Sequence, residues 1–351
     1  MKFAIFLFKV LFFVFLSNRI LAADSYWLLV HFSPWRIANL DSKKLDIISE
    51  LPYDGVAVQL ANAYQVYPVK VTKEKINLIK SYKIAPKIWP WVFLNWMIFP
   101  GKKDPNAHFD FTGKKRQKSI FFTNLTEALK LAKEFNSPGI VLDLETYNNH
   151  KLYNLAYLSE NSSLPVEQVK KQLLALGEEI GQYVVKFYPH AKIWLLCTNL
   201  GAKKERSISY IVLGMLNFAL REKCHFKVID GGEASIKYCH DSFKSFKRVI
   251  LIRDKREEKY LTQYSHLLLA GVICPWENKA DLKNWMLKNR FCKDAKMQTI
   301  LDFKDFFMFL NRHYEYNWIY AAGAANYYPF ESSSKRINSI INEFIEKNSL
   351  E

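Results

Sequence analysis

The sequence lacks most of the short signatures that announce a chemistry. No glycine-rich phosphate turn follows an early strand, which argues against an open nucleotide-binding sheet. No Gly-x-Ser-x-Gly elbow is present, so a serine nucleophile of that type is excluded. The five cysteines (Cys197, Cys224, Cys239, Cys274 and Cys292) include no pair with zinc-ligand spacing. Many metal-dependent barrel hydrolases open on a His-x-His pair; here His31 stands alone, followed by Phe32 and Ser33. Neither a metal nor a cofactor is therefore expected. There is no internal repeat and no low-complexity tract. Beyond the N-terminus, no apolar run is long enough to cross a bilayer.

Charge excludes less. The chain carries 50 Lys and Arg against 34 Asp and Glu, a formal net charge of +16. The lysines are scattered through amphipathic segments rather than gathered in a block. They read as solvated faces, and nucleic acid is not an expected partner. Aromatic residues, at 15%, are more informative, because sugar rings stack on them.

The first residues point to export. Met1-Lys2-Phe3 opens an apolar run to Ser17, broken by Lys9, and small residues Ala22-Ala23 precede Asp24. This pattern predicts a signal peptide over 1–23 and a secreted or periplasmic domain over 24–351. No integral membrane segment is expected after its removal. Arg19 and the bulky Ile20-Leu21 leave an uncleaved anchor as the alternative. An odd cysteine count leaves at least one thiol unpaired. Cys197 and Cys274 read as buried small hydrophobes, and Cys224–Cys239 is a candidate disulfide.

After the signal, eight short β-rich runs alternate with helical patterns. The strands are expected near 26–33, 55–60, 84–91, 139–145, 192–199, 226–230, 270–277 and 318–325. Two long excursions, 92–119 and 146–165, interrupt the alternation. Helices are expected between the strands, with a closing helix over 333–345. Eight such units predict an α/β fold, a (β/α)8 TIM barrel formed as one domain with long βα loops.

In such a barrel the site lies at the carboxyl ends of the strands. Asp143, Glu145, Asp230 and Glu233 are the candidate catalytic acids there. Candidate substrate contacts are His31, Trp35, Trp89, Trp91, Tyr147, Asn199, Glu277, Asn326 and Tyr327. The fourth strand, Gly-Ile-Val-Leu-Asp-Leu-Glu145, carries the sharpest signal. Alternation puts Val141, Asp143 and Glu145 on one face, so two acids meet at an apolar rim. Desolvation and mutual repulsion there raise one carboxyl pKa and leave the other ionised, the division that glycosidic cleavage needs. The plainer alternatives are that Asp143 caps the following turn, and that Asp230 makes an Asx-type bond in the Asp-Gly-Gly-Glu233 turn.

His108-Phe-Asp-Phe111, the strand end Asp143-Leu-Glu-Thr-Tyr147, the Asp230-Gly-Gly-Glu233 turn and a late Trp318-Ile-Tyr320 strand occur in that order. This arrangement resembles secreted glycoside-hydrolase-like barrel proteins whose fourth strand ends in Asp-x-Glu-x-Tyr. The resemblance implies a barrel fold, a carbohydrate substrate, and Asp143, Glu145, Tyr147, Asp230 and Glu233 as site residues. One departure is Ala321-Ala-Gly-Ala-Ala325, where a polar or acidic residue is expected. The leading expectation is an exported glycoside hydrolase with Asp143 or Glu145 as nucleophile or base and Glu233 as general acid, Glu277 being the reserve partner. The alternatives are an inactive barrel that binds carbohydrate and a basic envelope protein that binds an anionic polymer or lipid.

Overall fold

A computed structural model describes residues 25–31, 35–61, 67–94, 115–145, 150–202, 205–233, 242–273 and 300–321, with 339 and 342. Eight parallel strands close on themselves in sequence order. They are β1 (Tyr26–His31), β2 (Gly55–Gln59), β3 (Ile88–Phe93), β4 (Gly139–Asp143), β5 (Lys192–Leu195), β6 (Lys227–Asp230), β7 (Leu267–Ile273) and β8 (Tyr316–Ala321). Eight helices are described around them: α1 (Ser42–Glu50), α2 (Lys73–Ser81), α3 (Lys115–Phe135), α4 (Leu155–Ser162), α5 (Val166–Phe187), α6 (Ser207–Arg221), α7 (Phe243–Gln263) and α8 (Ile300–His313). The expected (β/α)8 barrel is the fold observed.

The register states which side chains fill the barrel, because residues opposite one another on adjacent strands share a face. Tyr26 lies opposite Tyr316, Ala57 opposite Trp89, and Val141 opposite Trp194. Tyr26, Trp89, Trp194 and Tyr316 meet inside as a four-membered ring of aromatics, with centroids 5.7, 5.6, 6.0 and 6.1 Å apart around the circuit. The Trp89 indole N–H donates to the Tyr26 hydroxyl at 2.6 Å. This layer plugs the lower barrel, as bulky interior layers do in this architecture. Above it stand Trp91, Phe93 and Trp318, so the inward-facing Asp143 comes to lie at the upper rim.

The helices bury the complementary faces. In α5 the buried positions Val169, Leu173, Ile180 and Val184 recur at four- and seven-residue spacing, which lays one stripe against the barrel. Side chains cap several of the N-termini: Asp41 accepts from Lys44 N–H at 2.9 Å and Ser242 from Ser245 N–H at 3.2 Å.

Several expected boundaries move. β3 begins at Ile88 rather than residue 84, because Ala85–Lys87, with Pro86, forms a 3-10 turn first. β7 runs over Leu267–Ile273, earlier than expected. α3 begins at Lys115, inside the supposed first excursion, and the second excursion contains a 3-10 turn at His150–Tyr153 and α4. Arg248–Ile252, a β-rich run within the expected helix, lies inside α7 as that expectation has it. The closing helix over 333–345 falls almost entirely outside the described residues. Among the described residues, no helix is long and apolar enough to cross a membrane.

Candidate active site

The upper ends of β4, β5 and β6 form the candidate site, and two of its turns are built alike. At β4, the Asp143 carboxylate accepts the Glu145 backbone N–H at 2.9 Å. At β6, the Asp230 carboxylate accepts the Gly232 N–H at 2.9 Å. Each aspartate folds the chain back over itself and leaves the following glutamate at the mouth.

The β6 turn is further shaped by a bulge. Gly231 N–H donates to Leu195 O at 2.7 Å, and Glu233 N–H donates to Leu196 O at 3.1 Å. β6 thus advances two residues while β5 advances one, which draws Glu233 down into the barrel mouth. Gly232 takes φ of 76° to allow this. From β8, the Trp318 indole N–H donates to Gly231 O at 2.8 Å and pins the turn from across the barrel.

The result is direct contact between Glu145 and Glu233. Their carboxyls are hydrogen-bonded to each other, and both side chains are half-buried. A bond between two carboxyls needs one shared proton, and the Glu145 pKa is raised. Burial is the largest cause of its raised pKa, followed by the charge of Glu233, the charge of Asp143 and the hydrogen bond to Glu233; together they lift it well above the ordinary carboxylate range.

Cys197, at the end of β5, sits beside this pair. It is a buried free thiol, pushed up by burial first and then by Glu145, Glu233, Asp230 and Asp143 in that order. The Asn199 side-chain amide donates to its sulfur at 3.0 Å, and Asn199 itself takes a left-handed φ of 56°. Cys197 is buried, as its apolar strand suggests, but nothing in the sequence signals its place among four carboxyl groups. Cys224 is also a free thiol, so no disulfide joins it to Cys239, which lies outside the described residues.

Asp143 and Asp230 differ in where they point. Asp143 lies opposite Phe93 on the inward face. Asp230 lies opposite Leu195, on the outward face. Its carboxylate accepts from the Thr198 hydroxyl at 2.7 Å and lies 3.6 Å from the buried Arg253 guanidinium of α7. Arg253 also donates to Asp230 O at 2.8 Å and to Ala270 O at 2.6 Å, joining β6 to β7 just past the end of their ladder. Glu257, one turn along α7 and fully buried, has its pKa raised to about 9, by burial first and then by the charge of Asp230. Arg253 and Glu257 were missed from the sequence. The signal was there: they occupy the i+3 and i+7 positions after Ile250, on the apolar stripe begun by Phe246.

The aromatic candidates fall differently. Trp89 belongs to the lower ring rather than the mouth, because the inward positions of β3 alternate and 91, not 89, is the upper one. Trp91 stacks on Phe93 at 4.9 Å, and both are buried. Trp35 is buried beside the end of β2, where its carbonyl accepts the Gln59 N–H at 3.0 Å. His31 ends β1 opposite Ala321, and its side chain lies outside what is described. Tyr147, Glu277, Asn326 and Tyr327 also lie outside the described residues. Among the described residues, no group of three or more His, Cys, Asp or Glu side chains is placed to hold a metal ion.

No protein-family model and no curated protein matches the chain. Solved structures do. A GH5-4 broad specificity endoglucanase from an uncultured bacterium aligns with TM-score 0.50 and 10% identity, over 93% of this chain and 95% of that one. A family 5 xyloglucanase from Paenibacillus pabuli gives TM-score 0.47 and 8% identity, over 92% of this chain and 98% of that one. Endonuclease IV from Thermus thermophilus gives TM-score 0.46 and 8% identity, over 91% of this chain and 99% of that one. At such identities the likeness is one of fold, a (β/α)8 barrel of the kind found in several glycoside hydrolases and in other enzymes.

Proposed function

We propose that the protein is an exported glycoside hydrolase of the retaining type, with Glu145 as general acid and Glu233 as nucleophile. The observation that carries this reading is the hydrogen-bonded Glu145–Glu233 pair at the carboxyl ends of β4 and β6. These roles reverse the expectation from sequence; burial and the charges of Glu233 and Asp143, which raise the Glu145 pKa, support them. Glu145 protonates the glycosidic oxygen as Glu233 attacks the anomeric carbon. A covalent glycosyl ester forms on Glu233 and the alcohol leaves. The Glu145 carboxylate then takes a proton from water, the water attacks the ester, and Glu233 is freed. Inverting chemistry needs room for a water between carboxyls about 6.5–9.5 Å apart; a pair in direct contact suits the retaining spacing of about 5–5.5 Å better. Asp143 and Asp230 position the two glutamates. Residues 1–23 support action outside the cytoplasm.

The test is a panel of aryl glycosides, followed by incubation with the matching 2-fluoro glycoside and mass spectrometry. An adduct on Glu233, with turnover abolished in Glu233→Gln, is expected. An adduct on Glu145 would restore the roles expected from the sequence. Glycan binding without turnover, persisting in both Gln variants, would instead favour an inactive carbohydrate-binding barrel.

A further inference from the structure

The outward face of α7 is not an ordinary solvated helix face. Leu251 and Ile252 are 57% and 52% exposed, the most exposed aliphatic side chains among the described residues. Lys244, Arg248, Lys255 and Lys259 flank them on the same side. At 100° per residue these six positions fall within an arc of about 100°, opposite the buried stripe of Phe246, Ile250, Arg253 and Glu257. From Lys244 to Lys259 the row is about 22 Å long at 1.5 Å per residue. The acids of α7 do little to neutralise it. Asp254 is held by His313 and Tyr314, at 2.6 and 2.7 Å, Glu257 is buried, and Glu258 alone joins the outer face.

We propose that this face of α7 docks the protein onto an anionic phospholipid surface. The cations meet the headgroups, while Leu251 and Ile252 enter the boundary with the acyl chains. The two aliphatics decide the choice of partner. A polyanion such as nucleic acid or a sulfated glycan satisfies the cations but offers no apolar phase for the pair between them. A second copy of the chain would bring like charges together. α7 follows β6 and runs back along the barrel's side, so docking through it lays the barrel on its flank and leaves the mouth open.

The test is flotation of the full chain with vesicles of phosphatidylcholine alone, or of equal parts phosphatidylcholine and phosphatidylglycerol. The readout is the ratio of the two partition coefficients, since the apolar N-terminal run would act on both kinds of vesicle. A strong anionic preference is expected, falling as salt shortens the Debye length from about 10 Å at 0.1 M to about 3 Å at 1 M. Each cation near such a surface contributes about fivefold, so Lys244→Glu/Lys255→Glu should lower the ratio about 25-fold or more. Leu251→Ser/Ile252→Ser should weaken binding to anionic vesicles at every salt concentration. All four sites are exposed, and circular dichroism confirms that the variants stay folded. An anionic preference unchanged in the charge-reversal variant overturns the proposal. So does heparin binding without vesicle binding, which would make the row a polyanion site.

Discussion

Asp143 and Asp230 perform the same local task two strands apart, each accepting the backbone N–H two residues further on at 2.9 Å. They differ in what surrounds the remaining charge. Asp143 faces the barrel interior and adds its field to Glu145, whereas Asp230 faces α7 and Arg253. One aspartate therefore tunes the acid, and the other anchors the turn that presents its partner.

Asp143→Asn separates turn-making from charge. The amide oxygen still accepts the Glu145 N–H, so the turn is retained. The negative charge that helps to raise the Glu145 pKa is removed. The Glu145 pKa should fall, and the alkaline limb of the kcat/KM profile should move to lower pH. Carbon NMR titration of the Glu145 carboxyl reads the same shift where no substrate is in hand. An unchanged or rising pKa would contradict this assignment of charge.

Stability should fall as pH rises. Glu257 titrates at 4.5 in the ordinary reference and at about 9 when folded, so between those values the folded chain binds more protons than the unfolded one. Stability is then highest below about pH 4.5 as far as this group is concerned, and declines up to about pH 9. The slope is at most about 1.4 kcal/mol per pH unit for one proton. Glu145, whose pKa is also raised, acts in the same direction. Urea denaturation at pH 6 and pH 8.5 measures the loss, and Glu257→Gln should flatten it. A parent protein more stable at the higher pH would show that Glu257 is ionised in the fold.

Arg253 should be far more sensitive than a surface arginine. It is fully buried, and it serves two carbonyls on neighbouring strands and the Asp230 carboxylate. Arg253→Leu strands a buried charge and should cost about 3–5 kcal/mol. Replacing the group together, as Arg253→Leu with Asp230→Asn and Glu257→Leu, should recover part of that loss, because no uncompensated charge remains. Additive losses in chemical denaturation would mean that the three residues do not form one network.

The barrel was legible because its alternating strand and helix patterns are local, and the two glutamates were legible because each follows an aspartate at a strand end. The pairing of Glu145 with Glu233 was not, since it depends on a bulge set by Gly231 and Gly232 against Leu195 and Leu196. Trp89 and Trp91 show a second limit. Both are inward-facing, but only the depth of β3 in the barrel decides that one belongs to the lower ring and the other stands above it. The strand-end reading treated Asp230 like Asp143; a four-residue strand that ends on an outward position gave it a different neighbour.

Gly231→Ala tests whether that bulge makes the carboxyl pair. A Cβ at position 231 would lie 2.7 Å from Leu195 O and 2.9 Å from Leu196 O. Both contacts are backbone, so relief requires β5 and β6 to part where Glu233 N–H bonds to Leu196 O. The strain should cost about 1–3 kcal/mol. Separating the strands should lift Glu233 away from Glu145, removing both its hydrogen bond and much of its field. The Glu145 pKa should then drop toward the ordinary carboxylate range while the barrel remains folded. Gly232→Ala is the comparison for the turn conformation: its φ of 76° costs an alanine about 1–2 kcal/mol. If both variants lower the melting temperature but only Gly231→Ala shifts the Glu145 titration, the close approach of β5 and β6 is what brings the two acids together. Equal titration shifts would assign the pairing to the positive-φ turn instead.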